Sequence, residues 1–426
     1  MSRLIVEGNI VTHKNKFYGQ IEIDQKAGLI ARVGEGRCFG SADIKAEGLI
    51  FPGFGDLHVH AREDTSEKDA YKEEFYTASL AAINGGVTHF AEMPNNPIAP
   101  TTDGRYGAKK LLAEEHSFVP VTLYAGIGPG TEPLSSNVPY KVFMGPSVGD
   151  LFFESQPKLE QTIRNYRGKN VSFHCEDPEV LRQNKERETH ELKRPNEAEV
   201  LAIEFALNLI ELYGLAGKIC HCSTRKGLEL VLRAKARGVN VTVEVAPHHL
   251  FFDESMLTDE NRRWLQVNPP IRSVTDRMYL LEKMRNKEFD YLATDHAPHT
   301  KEEKLKGMSG MPQLDTYGPF VTWLMKECGI PPEEIAMICS FNPGNFVNPF
   351  LSEQYGKGFG RIEEGYAGSL TILNPNVPTV VSEEKLGTKC KWSPFTGVTF
   401  PGSVERTIVM GKVYDLVDPS IDILTK

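Results

Sequence analysis

From residue 51 to about residue 300 the chain alternates short apolar runs with stretches in which apolar residues recur every three or four positions. Short apolar or β-branched runs bounded by turn formers predict buried strands, and the wider spacing predicts amphipathic helices. Strands are predicted at 51–60, 87–93, 119–126, 138–145, 171–174, 218–222, 239–245 and 289–295. Helical spacing fills 71–86, 104–116, 156–168, 196–214, 225–238 and 274–286, and several of these stretches end at glycine, as left-handed helix termination requires. Eight strands with helices between most of them predict an α/β fold, a (β/α)8 barrel rather than an open sheet.

Both chain ends have a different pattern. Residues 4–50 and about 367–415 contain β-rich runs such as LIVEGNIV and SLTILNPN, separated by Gly, Asn and Asp. Neither end closes a core alone. Together they predict one accessory β domain, formed by residues 1–50 and 366–426 around a barrel at 51–365. The segment from GMSGMPQLDTYGP onward reads as a loop followed by helices, with Pro331 at a helix start.

The 426 residues are 40% apolar and 25% charged, an ordinary globular composition. A formal charge of -9 argues against nucleic acid or an anionic membrane as the main partner. It leaves room for a small anion held by a local arginine. The N-terminal segment has no long apolar stretch of the signal-peptide kind, and no run approaches the roughly 18 apolar residues of a membrane span. Seven cysteines without a CxxC pair fit a reducing cytoplasm. Cys220 and Cys222 flank His221, and strand alternation would put both on the face opposite it, as core thiols.

The chemistry concentrates at predicted strand ends. FPGFGDLHVHAR, residues 51–62, places His58 and His60 at alternate positions, hence on one face of a strand. Two such histidines alone are also compatible with a hydrogen-bonded core pair. Later strand ends add Asn95, Lys141, His174, His221 and Asp295, and the C-terminal strand ends form the face of a barrel where chemistry occurs. The histidines and Asp295 suffice for two adjacent metal positions across one barrel mouth, able to activate water and polarise a scissile bond. Imidazole and carboxylate donors favour zinc, with manganese, cobalt and iron also compatible.

Lys141 poses an electrostatic problem, because an ammonium is repelled by a metal cation. It must stay outside the coordination sphere, lose its proton, or be covalently changed. Asp295, opening DHAPHT after an apolar strand, combines a ligand oxygen with a proton carrier, though capping the following turn would also explain a carboxylate there. His296 reads as a structural neighbour and His299 as reaching toward substrate. His248 and His249 read as structural.

The ordered motifs GFGDLHVHAR (53–62), AEMPNNP (91–97), KVF (141–143), HCEDPE (174–179), HCST (221–224), EVAPHHL (244–250), VNPPIR (267–272) and DHAPHT (295–300) together resemble the dihydroorotases of the metal-dependent amidohydrolase superfamily, over essentially the whole chain. The resemblance implies interconversion of dihydroorotate and N-carbamoyl-aspartate in pyrimidine synthesis. It implies one zinc on His58, His60 and Asp295 and a second on His174 and His221, bridged by a carboxylated Lys141. Some relatives bridge with aspartate, for which Asp150 is the nearby competitor. By the same resemblance Arg62, Asn95 and His299 meet the substrate carboxylate, Asn268 meets the ring amide, and the protein is a homodimer. Hydantoinase- or allantoinase-like chemistry is the neighbouring reading, and an inactive scaffold for another pyrimidine enzyme a more distant one. Three segments depart from the family pattern: REDTSEKDAYKEEF where REPG is common, Asn96 in place of threonine, and GMSGMPQLDTYGP in place of a GLET loop.

Overall fold

Gly53 divides the first apolar run into two strands with different partners. Ile44–Pro52 lies between Arg3–Val11 and Leu370–Asn374 in a seven-stranded sheet, whereas Phe54–Val59 opens the barrel. No side chain fits at the break: a Cβ on Gly53 would lie 2.1 Å from Thr88 Oγ1, and Thr88 is itself fully buried. Gly53→Ala is therefore expected to cost about 1–3 kcal/mol, read as a lower denaturation midpoint at unchanged slope.

The computed structural model describes residues 3–146 and 151–415. Asp150 lies outside them. The seven-stranded sheet joins both chain ends, with Arg3–Val11, Lys16–Asp24 and Leu29–Glu35 on one side of Ile44–Pro52, and Leu370–Asn374, Ser403–Val409 and Lys412–Asp415 on the other. It has its own core of Val6, Ile10, Ile21, Ile23, Ile50, Leu370, Ile372 and Ile408. The accessory β layer is thus built from both ends, as the composition shift predicts.

The barrel strands are Phe54–Val59, Val87–Glu92, Val121–Leu123 with Ala125–Ile127, Tyr140–Phe143, Asn170–His174, Ala216–Ile219, Val241–Val245 and Tyr291–Leu292. Neighbouring strands pair in parallel. Closure falls on a parallel bridge between Val59 and His296, where His60 N donates to His296 O (2.8 Å) and His296 N to His58 O (3.1 Å). The third strand is bent rather than continuous over 119–126: Val121–Leu123 pairs with Val87–Glu92, and Ala125–Ile127 pairs with Tyr140–Phe143. Buried Tyr124 marks the bend, its hydroxyl donating to Leu57 O.

The long helices follow the predicted spacing: Phe75–Asn84, Asp103–His116, Gln156–Ile163, Asn196–Tyr213, Arg225–Ala236 and Val274–Arg285. Thr102, Thr224 and Ser273 cap three of them through their hydroxyls, and Gly214 ends Asn196–Tyr213 at φ 63. The first helix starts at Phe75 instead of residue 71, because Glu74 and Thr77 form a capping box there. Strand side chains such as Val142, Phe173, Ile219 and Val243 are fully buried beneath these helices, each worth about 1.5–3 kcal/mol of burial. Beyond the last strand, Tyr317–Lys326 and Pro332–Ala336 are helical, the latter entered through Pro331. No helix among the described residues is long and apolar enough to cross a membrane.

Candidate active site

Three donor atoms converge where the first and last barrel strands end. His58 Nε2 lies 3.2 Å and His60 Nε2 3.3 Å from the same Asp295 Oδ1. The opposite ring nitrogens are occupied: His58 Nδ1 donates to Glu244 Oε1 (2.5 Å) and His60 Nδ1 to Asn95 Oδ1 (2.7 Å). Taking the Nδ1 protons leaves both Nε2 lone pairs facing the carboxylate, the arrangement in which imidazole binds a metal. Burial favours the neutral rings further, lowering His58 to about 3 and His60 well below the usual imidazole range.

Glu244 is the support behind this group. Burial alone would raise its pKa, but Lys218 at 2.6 Å and His58 outweigh that and hold it well below the ordinary carboxylate value. Glu244 Oε1 also accepts the backbone N–H of His221 (3.0 Å), so one buried anion fixes two histidines on different strands.

The second pair lies on adjoining strand ends. His174 Nδ1 is 2.9 Å from His221 Nε2, while His174 Nε2 donates to Glu176 Oε2 (2.9 Å), which also meets Arg194. His221 Nδ1 is buried without a hydrogen-bond partner among the described residues. Burial lowers both imidazoles, His221 strongly. His58, His60 and Asp295 bring donor atoms within 4.8 Å of one another, as do His58, Cys220 and Glu244. Neutral imidazoles and a carboxylate whose pKa burial pushes well upward suit a divalent cation, whose charge would favour the ionised carboxylate.

Lys141 belongs to this centre. It is fully buried, its Nζ lies 2.9 Å from Cys220 Sγ, and its charge contributes to lowering His58, His60, His174 and His221. A lysine that electrostatically faces all four histidines is not a surface residue. Cys220 is buried, as expected of a core thiol, yet it sits beside Lys141 rather than on the face away from the site. The strand has ended at Ile219 and His221 adopts φ 34, so strict alternation no longer governs. Cys222 packs in the main core.

Above the donors, Arg62, Asn95, Asn268, Ser309 and Gly310 line one pocket together with His58, His60, His174, His221 and Asp295. Arg62 is only 2% exposed, and its Nε and the Asn268 Oδ1 are buried without partners among the described residues. His299 stands behind this wall rather than in it. Its Nε2 is 3.5 Å from Arg62 Nη2 and its Nδ1 is 3.2 Å from Glu303 Oε2. Arg62, His221 and Asp295 all adopt positive φ, at 64, 34 and 51. Such backbone costs about 1–3 kcal/mol each and gathers where function over-determines geometry.

His296 carries the barrel closure and accepts the backbone N–H groups of Gln313 and Leu314. His248 pairs with the Gln313 amide (2.8 Å), and buried His249 has no hydrogen-bond partner on its ring among the described residues; none of the three lines the pocket. Sequence reasoning missed Glu244, Lys218, Glu176 and Arg194. A charged residue inside an apolar strand, as in VTVEV and AGKI, was the available signal for the first two.

A barrel with this arrangement at its strand ends is a metal-dependent hydrolase. Comparison with models of protein families gives no match. Among curated proteins, the dihydroorotase of Pyrococcus furiosus is 32% identical over 96% of this chain and 92% of its own length. That of Thermococcus kodakarensis is 33% identical over 97% and 94%. Among solved structures, the L-hydantoinase (dihydropyrimidinase) of Arthrobacter aurescens matches with TM-score 0.86 and 25% identity over 97% of this chain and 96% of that one. A D-hydantoinase from a Thermus species, at 22% identity and TM-score 0.81, shares the fold over 96% and 94%. The chain belongs to the metal-dependent amidohydrolase superfamily, in the branch of dihydroorotases and hydantoinases, and its site is that of a cyclic amidohydrolase.

Proposed function

We propose that the ring opened here is dihydroorotate, interconverted with N-carbamoyl-aspartate. The observation that carries this reading is Arg62. Its guanidinium is buried in the pocket wall, and among the described residues Nε has no partner and no carboxylate lies within 4.0 Å of it. Asp69, Glu92, Asp295 and Glu303 act on it only from beyond that distance, so a substrate carboxylate meeting the planar fork offsets part of its desolvation cost. The dihydroorotases similar over nearly the whole chain support the same choice.

In this scheme His58, His60 and Asp295 would hold one zinc ion and His174 and His221 a second, with Lys141, carboxylated on Nζ, as the residue shared between them. Bound there, zinc would supply Lewis acidity toward the scissile carbonyl and acidify water near neutral pH. Asp295 takes the proton of the attacking water and delivers it to the ring nitrogen as the C–N bond breaks. Arg62 binds the ring carboxylate, assisted by Asn95, while His299 steadies the guanidinium from behind. Asn268 Oδ1, buried and unpartnered, accepts the ring N–H.

A hydantoin substrate is the second reading, favoured by the close structural match to an L-hydantoinase. Hydantoin has no ring carboxylate and would leave Arg62 unpaired. Arg62→Met is expected to lower kcat/KM for dihydroorotate by about 30-fold to 5,000-fold, from the roughly 2–5 kcal/mol of a buried charged contact, with metal content unchanged and hydantoin turnover nearly unaffected. Equal loss of both activities and of metal would make Arg62 a structural residue.

A further inference from the structure

The helix Lys301–Leu305 begins two residues after His299 and turns one lysine inward. Lys304 is fully buried, and its Nζ donates to the carbonyl oxygens of Gln266 (2.9 Å), Met308 (2.8 Å) and Gly310 (2.9 Å). These carbonyls belong to two loops. One leads from Gln266 to Asn268, and the other carries Ser309 and Gly310; both line the pocket. The loops also meet directly, through Gly310 N to Gln266 O (3.0 Å) and Gln266 Nε2 to Ser309 Oγ (3.1 Å). Gly310 packs closely on the barrel, where an added Cβ would come within 2.5 Å of Ala297 O and 3.0 Å of His299 Cδ2.

The reaction scheme leaves Lys304 without a role, and its placement is electrostatically unfavourable. Among the described residues no carboxylate lies within 4.0 Å of the nitrogen, which sits 5.6 Å from the Trp392 ring centroid. Trp392 in turn donates its indole N–H to His299 O (2.7 Å). An apolar side chain would fill the same volume without the desolvation of an amine. Only an amine gathers three carbonyls from two loops at one point.

We propose that Lys304 is a positioning residue that sets the separation between Asn268 and the Ser309–Gly310 turn, and so the width of the slot that receives the ring amide. The inference rests on the reading that Asn268 meets that ring. It deepens that reading by assigning ring fit to a residue that touches no substrate.

Two measurements test this on the full chain loaded with zinc. Lys304→Met should raise KM about tenfold, the worth of about one lost hydrogen bond at the slot, with kcat and bound metal within about threefold of the parent. The substrate is whichever ring amide the parent hydrolyses, so an error over dihydroorotate does not decide the result. An unchanged KM, or kcat and metal falling together, overturns the proposal. In the unaltered protein, hydrogen exchange of peptides spanning 264–270 and 306–312 should be at least tenfold slower than their intrinsic rates. This second test needs neither a substrate nor a folded variant, and exchange at the intrinsic rates also overturns the proposal.

Discussion

Asp295→Asn lowers kcat on the preferred ring amide by about 100-fold to 10,000-fold, the range set by loss of a positioned proton carrier. Asparagine keeps the size of the side chain and one carbonyl oxygen, so the contacts of Asp295 Oδ1 with His58 Nε2 and His60 Nε2 can persist. What disappears is an oxygen able to take a proton and release it. The backbone at φ 51 tolerates the change, because asparagine is among the residues that adopt left-handed conformations most readily. Activity should therefore fall far more than zinc content, measured on the same sample by elemental analysis. A loss of activity in strict proportion to lost metal would reduce Asp295 to a ligand.

Glu244→Gln removes a charge on which three neighbours depend. Lys218 at 2.6 Å is 1% exposed and loses its only carboxylate partner among the described residues; His58 Nδ1 and the His221 backbone N–H lose their anionic acceptor. Breaking a buried ion pair by neutralising one member costs about 3–5 kcal/mol, because the other charge stays buried without compensation. Supporting groups behind metal-binding histidines are further worth about 10- to 100-fold in metal affinity. The variant should show both a large fall in unfolding free energy and weaker zinc retention against a chelator. The double variant Glu244→Gln, Lys218→Met should recover much of the stability but little of the zinc affinity. Equal recovery of both would deny Glu244 its role in orienting His58.

The barrel was legible because its strands are buried on both faces and read as continuous apolar runs, while long helices such as Asn196–Tyr213 display their spacing over many turns. Short elements carry no such signal. Pro178–Asn184, Pro247–Phe251 and Lys301–Leu305 span at most two turns. The Gly53 break and the Tyr124 bend were hidden because an apolar run looks the same whether one sheet or two receive it. Chain order along FPGFGDLHVHAR and the later strand ends was enough to anticipate the donors that the fold gathers. Their supports were not, since Glu244 is far from His58 along the chain and only the closed barrel brings Glu244, with Lys218 beside it, behind that ring, while Glu176, two residues after His174, carries no periodic signal of its own. Cys220 shows the limit of alternation, which fails as soon as the strand ends.

The departure at REDTSEKDAYKEEF also acquires a structural meaning. Tyr71 donates to Glu303 Oε1 (2.6 Å) and Lys72 pairs with Glu303 (3.3 Å), while Glu303 holds His299 from the other side. The unusual loop is thus tied to the helix that stands behind Arg62 and contributes Lys304.

The most direct test of the central claim is the ratio of kcat/KM for dihydroorotate to that for dihydrouracil, the same six-membered ring without its carboxylate, on zinc-loaded protein. If Arg62 awaits a carboxylate, dihydroorotate should be preferred by at least about 30-fold. Equal turnover of the two rings, or preference for dihydrouracil, would contradict the account.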